Sequence, residues 1–138
     1  MYPNFSRFSR SFCITDPTLP DNPIIFASKG FLDLSGYSLG EVLGRNCRFL
    51  QVPGTDQTQV EILRKGILNG VDTSICLLNY KADGTPFYNQ IFVAGLRDAS
   101  RKIINYVGVQ VEVSFSPTWR LRVLVVSVLF TVVIFVDI

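Results

Sequence analysis

A chain of 138 residues suits one domain with one core. Its 13 Lys and Arg against 11 Asp and Glu leave a net charge of +2, scattered without a basic run, which argues against a direct nucleic-acid surface. It has no histidine, so Ser-His-Asp triads, Cys-His pairs and histidine metal sites are excluded; the three cysteines (Cys13, Cys47, Cys76) form no C-x-x-C and read as reduced thiols of an intracellular protein rather than as zinc ligands.

The opening "MYPNFSRFSRSF" has no apolar stretch of the kind a secretory signal needs. "SFCIT" (11–15) and "IIFAS" (24–28) read as short strands around a Pro- and Asp-rich turn, 16–23. Glycines punctuate 29–56, which predicts several short helical turns; "SLGEVLG" has a Ser at its start and a Gly after its end. Asp56 can cap a helix over 57–68 whose apolar stripe is Val60, Leu63, Ile67 and Leu68, and "NG" at 69–70 stops it. Three strand-like runs follow at 72–81, 85–98 and 102–114, joined by "ADG" and "RDASR". The order predicts an α+β fold, with helices over one face of a five-stranded antiparallel sheet.

Strand alternation puts Ile75, Leu77 and Asn79 on one face, as it does Phe87, Asn89, Ile91 and Val93, and Ile104, Tyr106, Gly108 and Gln110. Three carboxamides thus point into an otherwise apolar space. Left unpaired, each would cost about 1–3 kcal/mol. They either bond each other and nearby backbone, or read the mixed donor/acceptor edge of a flat ligand, with Gly108 leaving room for a ring. Arg64 interrupts the helix stripe and Arg48 follows Cys47; each can snorkel, but together they suit a phosphate.

"GRNCRFLQ" (44–51) resembles the signature of light-oxygen-voltage (LOV) domains, the flavin-binding, blue-light-sensing branch of the PAS superfamily. "ITDPTLPDNPIIFAS", "GFLDLSGYS", "LLNYKADGTPFYNQ" and "VGVQ" extend the resemblance over about Ser11 to Ser114, with wording most like aureochrome LOV domains, then phototropin ones. The resemblance implies a PAS-like fold and a sensory, non-enzymatic role, with FMN as cofactor because the stretch between Gln51 and the Arg64 helix lacks the insertion that accommodates FAD. Cys47 would form a reversible thioether with flavin C4a. No histidine base is needed, because the excited flavin becomes basic at N5. Arg48 and Arg64 would hold the ribityl phosphate, and Asn46 and Gln51 the ribityl chain and ring edge. Asn79 and Asn89 would hold the pyrimidine edge, and Gln110 would face N5 and O4. Thr15, Asn22, Leu63, Ile67, Leu77, Ile91, Val93, Tyr106 and Gly108 would line the pocket. Protonation of N5 would turn the Gln110 amide and disturb the last strand, so Gln110 is also the expected signalling residue. Cys13 and Cys76 are expected to be structural.

Four positions depart from the family pattern. Ile91 and Tyr106 stand where Phe is frequent, Tyr88 where Trp is usual, and Cys13 where a branched aliphatic is typical. The first two would alter adduct lifetime. The expected organisation is a flank at 1–10, the flavin-binding domain at 11–114 and a hydrophobic segment at 115–138. Hydrophobic residues make up 48% of the chain, concentrated in this last segment, where 123–136 carries no charge. It is short for a membrane span of about 17–25 residues. It reads as a truncated span, as a cover for the sheet or a homodimer contact, or as a non-native end. The location implied is nuclear within an aureochrome-like factor, or at a membrane if the segment is an anchor. The competing functions are a light-independent PAS interaction module and a flavin oxidoreductase. Against the latter, the ring edge is crowded by amides and no G-x-G-x-x-G is present.

Overall fold

The computed structural model describes residues 10–113. The hydrophobic segment expected at 115–138 and most of the N-terminal flank lie outside the described residues. The elements are β1 (Ser11–Thr15), β2 (Ile24–Ala27), α1 (Lys29–Ser35), α2 (Leu39–Val42), a 3-10 turn (Cys47–Leu50), α3 (Gln57–Asn69), β3 (Thr73–Tyr80), β4 (Pro86–Arg97) and β5 (Ile103–Val113). The strands form one antiparallel sheet in the order β2-β1-β5-β4-β3. The expected α+β architecture is the observed one.

Local chemistry sets the boundaries. Ser28 caps α1, its hydroxyl accepting from the Phe31 amide, and Gly36 ends the helix in the left-handed region at φ 76°. The same hydroxyl accepts from Phe12 N–H at 2.9 Å and donates to the Arg10 carbonyl at 2.7 Å, which fixes the helix start to β1. Asp56 caps α3 by accepting from Thr58 N–H at 2.8 Å.

Pairing of the first strand with the last brings distant sequence together. Ser11 lies opposite Gln110, Cys13 opposite Gly108 and Thr15 opposite Tyr106, so each pair shares a face. The core under α1 contains Cys13, Ile24, Ala27, Phe31, Val42 and Leu50, with Tyr37, Cys47 and Phe49 packed against it.

Two expectations of packing fail. Leu68 is 75% exposed, because α3 turns Leu63 and Ile67, not Leu68, toward the sheet. Ile104 is exposed rather than inward. A bulge between Leu96 and Arg97 leaves it out of the pairing register and breaks the alternation there.

Gly66 marks where α3 approaches the sheet. A Cβ there would meet Thr73 Oγ1 at 1.8 Å and Thr73 Cβ at 2.8 Å. Rotation of the threonine clears the first clash but not the second. Gly66→Ala is therefore expected to destabilise the domain by about 1–3 kcal/mol despite its better helix propensity, read as a lower urea midpoint at unchanged slope.

Candidate functional site

A cavity of about 120 Å³ lies between the sheet and the helical layer. The sheet contributes Thr15, Leu77, Asn79, Asn89, Ile91, Val93, Tyr106, Gly108 and Gln110. The helical side contributes Asn22, Asn46, Cys47, Arg48, Gln51, Leu63 and Ile67. Every residue expected to bind the cofactor lines this cavity except Arg64. That side chain is exposed on α3, where its guanidinium donates to the Glu61 carboxylate at 3.0 and 3.1 Å. Phe31 and Leu50 line the cavity too and escaped the sequence reading. Both belong to the buried core, and nothing in their local pattern marks them as more than that.

The amides are buried as expected: Asn79, Asn89 and Gln110 are 1%, 0% and 7% exposed. Asn89 donates to Asn79 Oδ1 at 2.9 Å, and Asn79 donates to the Leu78 carbonyl at 3.2 Å. Mutual bonding does not satisfy the set. Asn89 Oδ1, Asn22 Oδ1 and Thr15 Oγ1 are all buried without a partner, and all three residues line the cavity. Such orphans are uncommon in folded proteins, and three at residues that line one cavity suit a ligand that brings hydrogen-bond partners.

Gln110 occupies a junction. Its Oε1 accepts from the buried Ser11 hydroxyl at 3.1 Å, and its Nε2 donates to the Gly108 carbonyl at 3.1 Å and lies 3.7 Å from Cys13 Sγ. The sequence reading missed Ser11. The register Ser11–Gln110 places it, and strand alternation with Thr15 is the signal that could have found it. Tyr106, one of the departures, donates its hydroxyl to the Ile67 carbonyl at 2.8 Å and ties β5 to α3.

At the mouth, Asn46 caps the 3-10 turn, accepting from Arg48 N–H at 3.0 Å and donating to the Asp21 carbonyl at 2.8 Å. Arg48 makes a two-pronged contact with the Asp21 carboxylate, one bond at 2.8 Å. The Arg48 guanidinium holds the Asp21 carboxyl below its ordinary range, and Asp21 in turn raises Arg48. Both are exposed, so the pair is weak and open to exchange for a ligand anion. No carboxylate lines the cavity itself.

Cys47 begins the 3-10 turn and is the sole cysteine of the lining. Its Sγ lies 3.6 Å from Cys13 Sγ. Bonding to Cys13 and burial hold the Cys47 thiol well above its ordinary pKa, so it is protonated at neutral pH. Cys13 is pushed down, first by the Cys47 S–H and then by the Gln110 amide. The structural role expected of Cys13 is therefore incomplete: it is buried, but it touches the thiol at the centre of the site. Cys76 is exposed.

Among the described residues, no helix is long and apolar enough to cross a membrane, and no group of three acidic, Cys or His residues could hold a metal.

The profile of the PAS domain family matches residues 9–115. Phototropin-1A of Oryza sativa subsp. japonica is 44% identical over 109 residues, covering 79% of this chain and 12% of that protein. Two solved structures align closely. One is the dark structure of the blue-light photoreceptor Aureochrome1 LOV (60% identity, TM-score 0.75, 80% of each chain); the other is its light-state structure (58%, 0.76, 83% of this chain and 89% of that one). The chain thus spans only about an eighth of the curated relative's length.

Proposed function

The chain belongs to the PAS domain family, as a LOV domain, and from that premise we propose that it is a blue-light photoreceptor module that binds FMN and answers light through Cys47. The single observation that carries this reading is the placement of one thiol, Cys47, in the wall of a cavity also lined by Thr15, Asn22 and Asn89, each with a buried oxygen that has no partner. An isoalloxazine ring fits that description: it is flat, apolar on its faces and edged with donors and acceptors.

When bound, flavin supplies the light absorption and, once excited, a basic N5 and an electrophilic C4a. The chain's residues supply the rest. Cys47 would keep its proton in the dark and, with flavin bound, would supply the sulfur for a reversible bond to C4a and the proton for N5. Asn79 and Asn89 hold the pyrimidine edge, Asn22, Asn46 and Gln51 the ribityl chain, and Gly108 makes room for the ring. Arg48 holds the phosphate by exchanging Asp21 for it. Arg64 would join it by releasing Glu61.

Gln110 carries the signal. Its amide would present its nitrogen to N5 as an acceptor and its oxygen to N5 as a donor. Ser11 permits this turn, because a hydroxyl that donates to Oε1 can equally accept from Nε2. The energy is that of one neutral hydrogen bond, about 0.5–1.5 kcal/mol, so the responding element must be nearly balanced.

Absorption spectra before and after blue illumination test the proposal. The expected result is loss of the visible flavin band with recovery in darkness, and FMN as the chromophore released on denaturation. A chain that stays colourless when supplied with flavin, or spectrally unchanged under light, overturns it. The second reading, a light-independent PAS interaction module, has no specific observation in its favour.

A further inference from the structure

We propose that Cys13 is a resolving thiol for Cys47: a hydroperoxide closes the two into a disulfide, which takes Cys47 out of the light reaction and makes the module a thiol-redox sensor as well. The disulfide itself rests on the observed thiol pair; only its effect on the light response rests on the function proposed above.

The geometry favours this bond. The two sulfurs touch at 3.6 Å, and joining them at a disulfide length of about 2.05 Å asks for a closure of about 1.5 Å. Cys13 is fixed on a central strand, 1% exposed, but Cys47 opens a 3-10 turn of four residues, a poorly bonded element able to give by that amount. Cys47 faces the cavity, the route by which a molecule little larger than water reaches the pair. The Gln110 amide donates toward Cys13 Sγ at 3.7 Å, which favours a thiolate there for the attack on oxidised Cys47, in a site where burial alone would oppose one. An aliphatic side chain at position 13 would fill the same space without any of this chemistry.

The step balances. Cys47, which faces the cavity, gives up its proton and attacks the peroxide, the O–O bond breaks, and a sulfenic acid on Cys47 and hydroxide result. Cys13 attacks that sulfur, the S–O bond breaks, and a second hydroxide leaves. The protons of the two thiols convert both hydroxides to water. Two thiols and one hydrogen peroxide thus give one disulfide and two waters, with two electrons passing from sulfur to oxygen. In the product Cys47 has neither a proton to give nor a free sulfur to bond carbon.

The test treats the full chain, both flavin-free with the cavity open and flavin-loaded, with hydrogen peroxide in the dark, blocks free thiols with N-ethylmaleimide in denaturant, maps peptides by mass and reads bleaching on the loaded sample. The expected result is a Cys13–Cys47 linked peptide, loss of light bleaching, and return of bleaching on adding dithiothreitol. Cys13→Val and Cys13→Ala should give no linked peptide and no dithiothreitol-reversible loss. Exposed Cys76 reports that oxidant or alkylating agent was active. Oxidised Cys47 without the link, or the same reversible loss in the Cys13 variants, overturns the proposal. An untreated chain that fails to bleach refutes the light reading instead and leaves the peptide result standing.

Discussion

Replacing Cys47 with Ala is expected to leave FMN bound and to abolish blue-light bleaching entirely, with the absorbed energy returned as stronger fluorescence. The argument is one of position. Cys47 is the sole cysteine in the cavity lining; Cys13 lies behind it in the core and Cys76 is exposed on β3. No other thiol is placed to reach a ring in the cavity. Many other residues grip the ligand, on β1, β3, β4, β5 and α3 as well as Asn46, Arg48 and Gln51 beside Cys47, so binding survives the loss of one sulfur. The protein itself should lose about 1 kcal/mol, since removing one half-buried atom group leaves a small void beside Cys13. Spectra of purified Cys47→Ala before and after illumination decide the matter. Bleaching that persists would show that the bond to sulfur is not the light reaction, or that Cys13 can move into its place; the Cys13→Val/Cys47→Ala double variant separates these.

Why so much of this site was legible in sequence, and some of it not, follows from the range of the signals. A two-residue period along β3, β4 and β5 is a local property, and it put Asn79, Asn89 and Gln110 on one buried face. A 3.6-residue period put Leu63 and Ile67 together on α3. Neither period says how one element is turned toward another. Arg64 belongs to the stripe by spacing, yet it pairs with Glu61 three residues before it and stays on the surface. Leu68 likewise follows Ile67 on the helical wheel but faces water. The missed contacts of β1 are long-range: Ser11 and Cys13 meet Gln110 across the β1–β5 pairing, and Cys13 meets Cys47 of the 3-10 turn, 34 residues away. Register between the first and last strands is set by the whole sheet, not by any stretch of either strand. The bulge that exposes Ile104 is also a property of paired strands. Family resemblance supplied roles for the cavity residues, but for Cys13, where this chain departs from the pattern, the expectation was of a structural residue only.

Asn89→Leu is expected to weaken FMN binding by roughly 5- to 150-fold while changing the stability of the flavin-free chain by less than about 1 kcal/mol. The two numbers distinguish a ligand-reading amide from a merely structural one. Asn89 is fully buried; its Nδ2 donates to Asn79 Oδ1, and its own Oδ1 has no partner. In the flavin-free chain leucine removes one unpaired oxygen, which relieves a desolvation cost, and leaves Asn79 Oδ1 without its donor, which imposes a similar one. These effects nearly cancel. With flavin bound they do not, because the orphaned oxygen is then the acceptor for a donor on the ring edge, and losing it strands that donor in a dry pocket at about 1–3 kcal/mol. Leucine is close to asparagine in size and keeps the neighbouring Ile91 and Leu77 packed, so the loss is chemical rather than steric. Titration of the flavin-free variant with FMN, followed by quenching of flavin fluorescence, gives the first quantity; urea unfolding of the same preparation gives the second. If stability fell by several kcal/mol and affinity stayed at the wild-type value, the amide ladder would be a device for holding β3 to β4, and the orphaned oxygen would carry no information about a ligand.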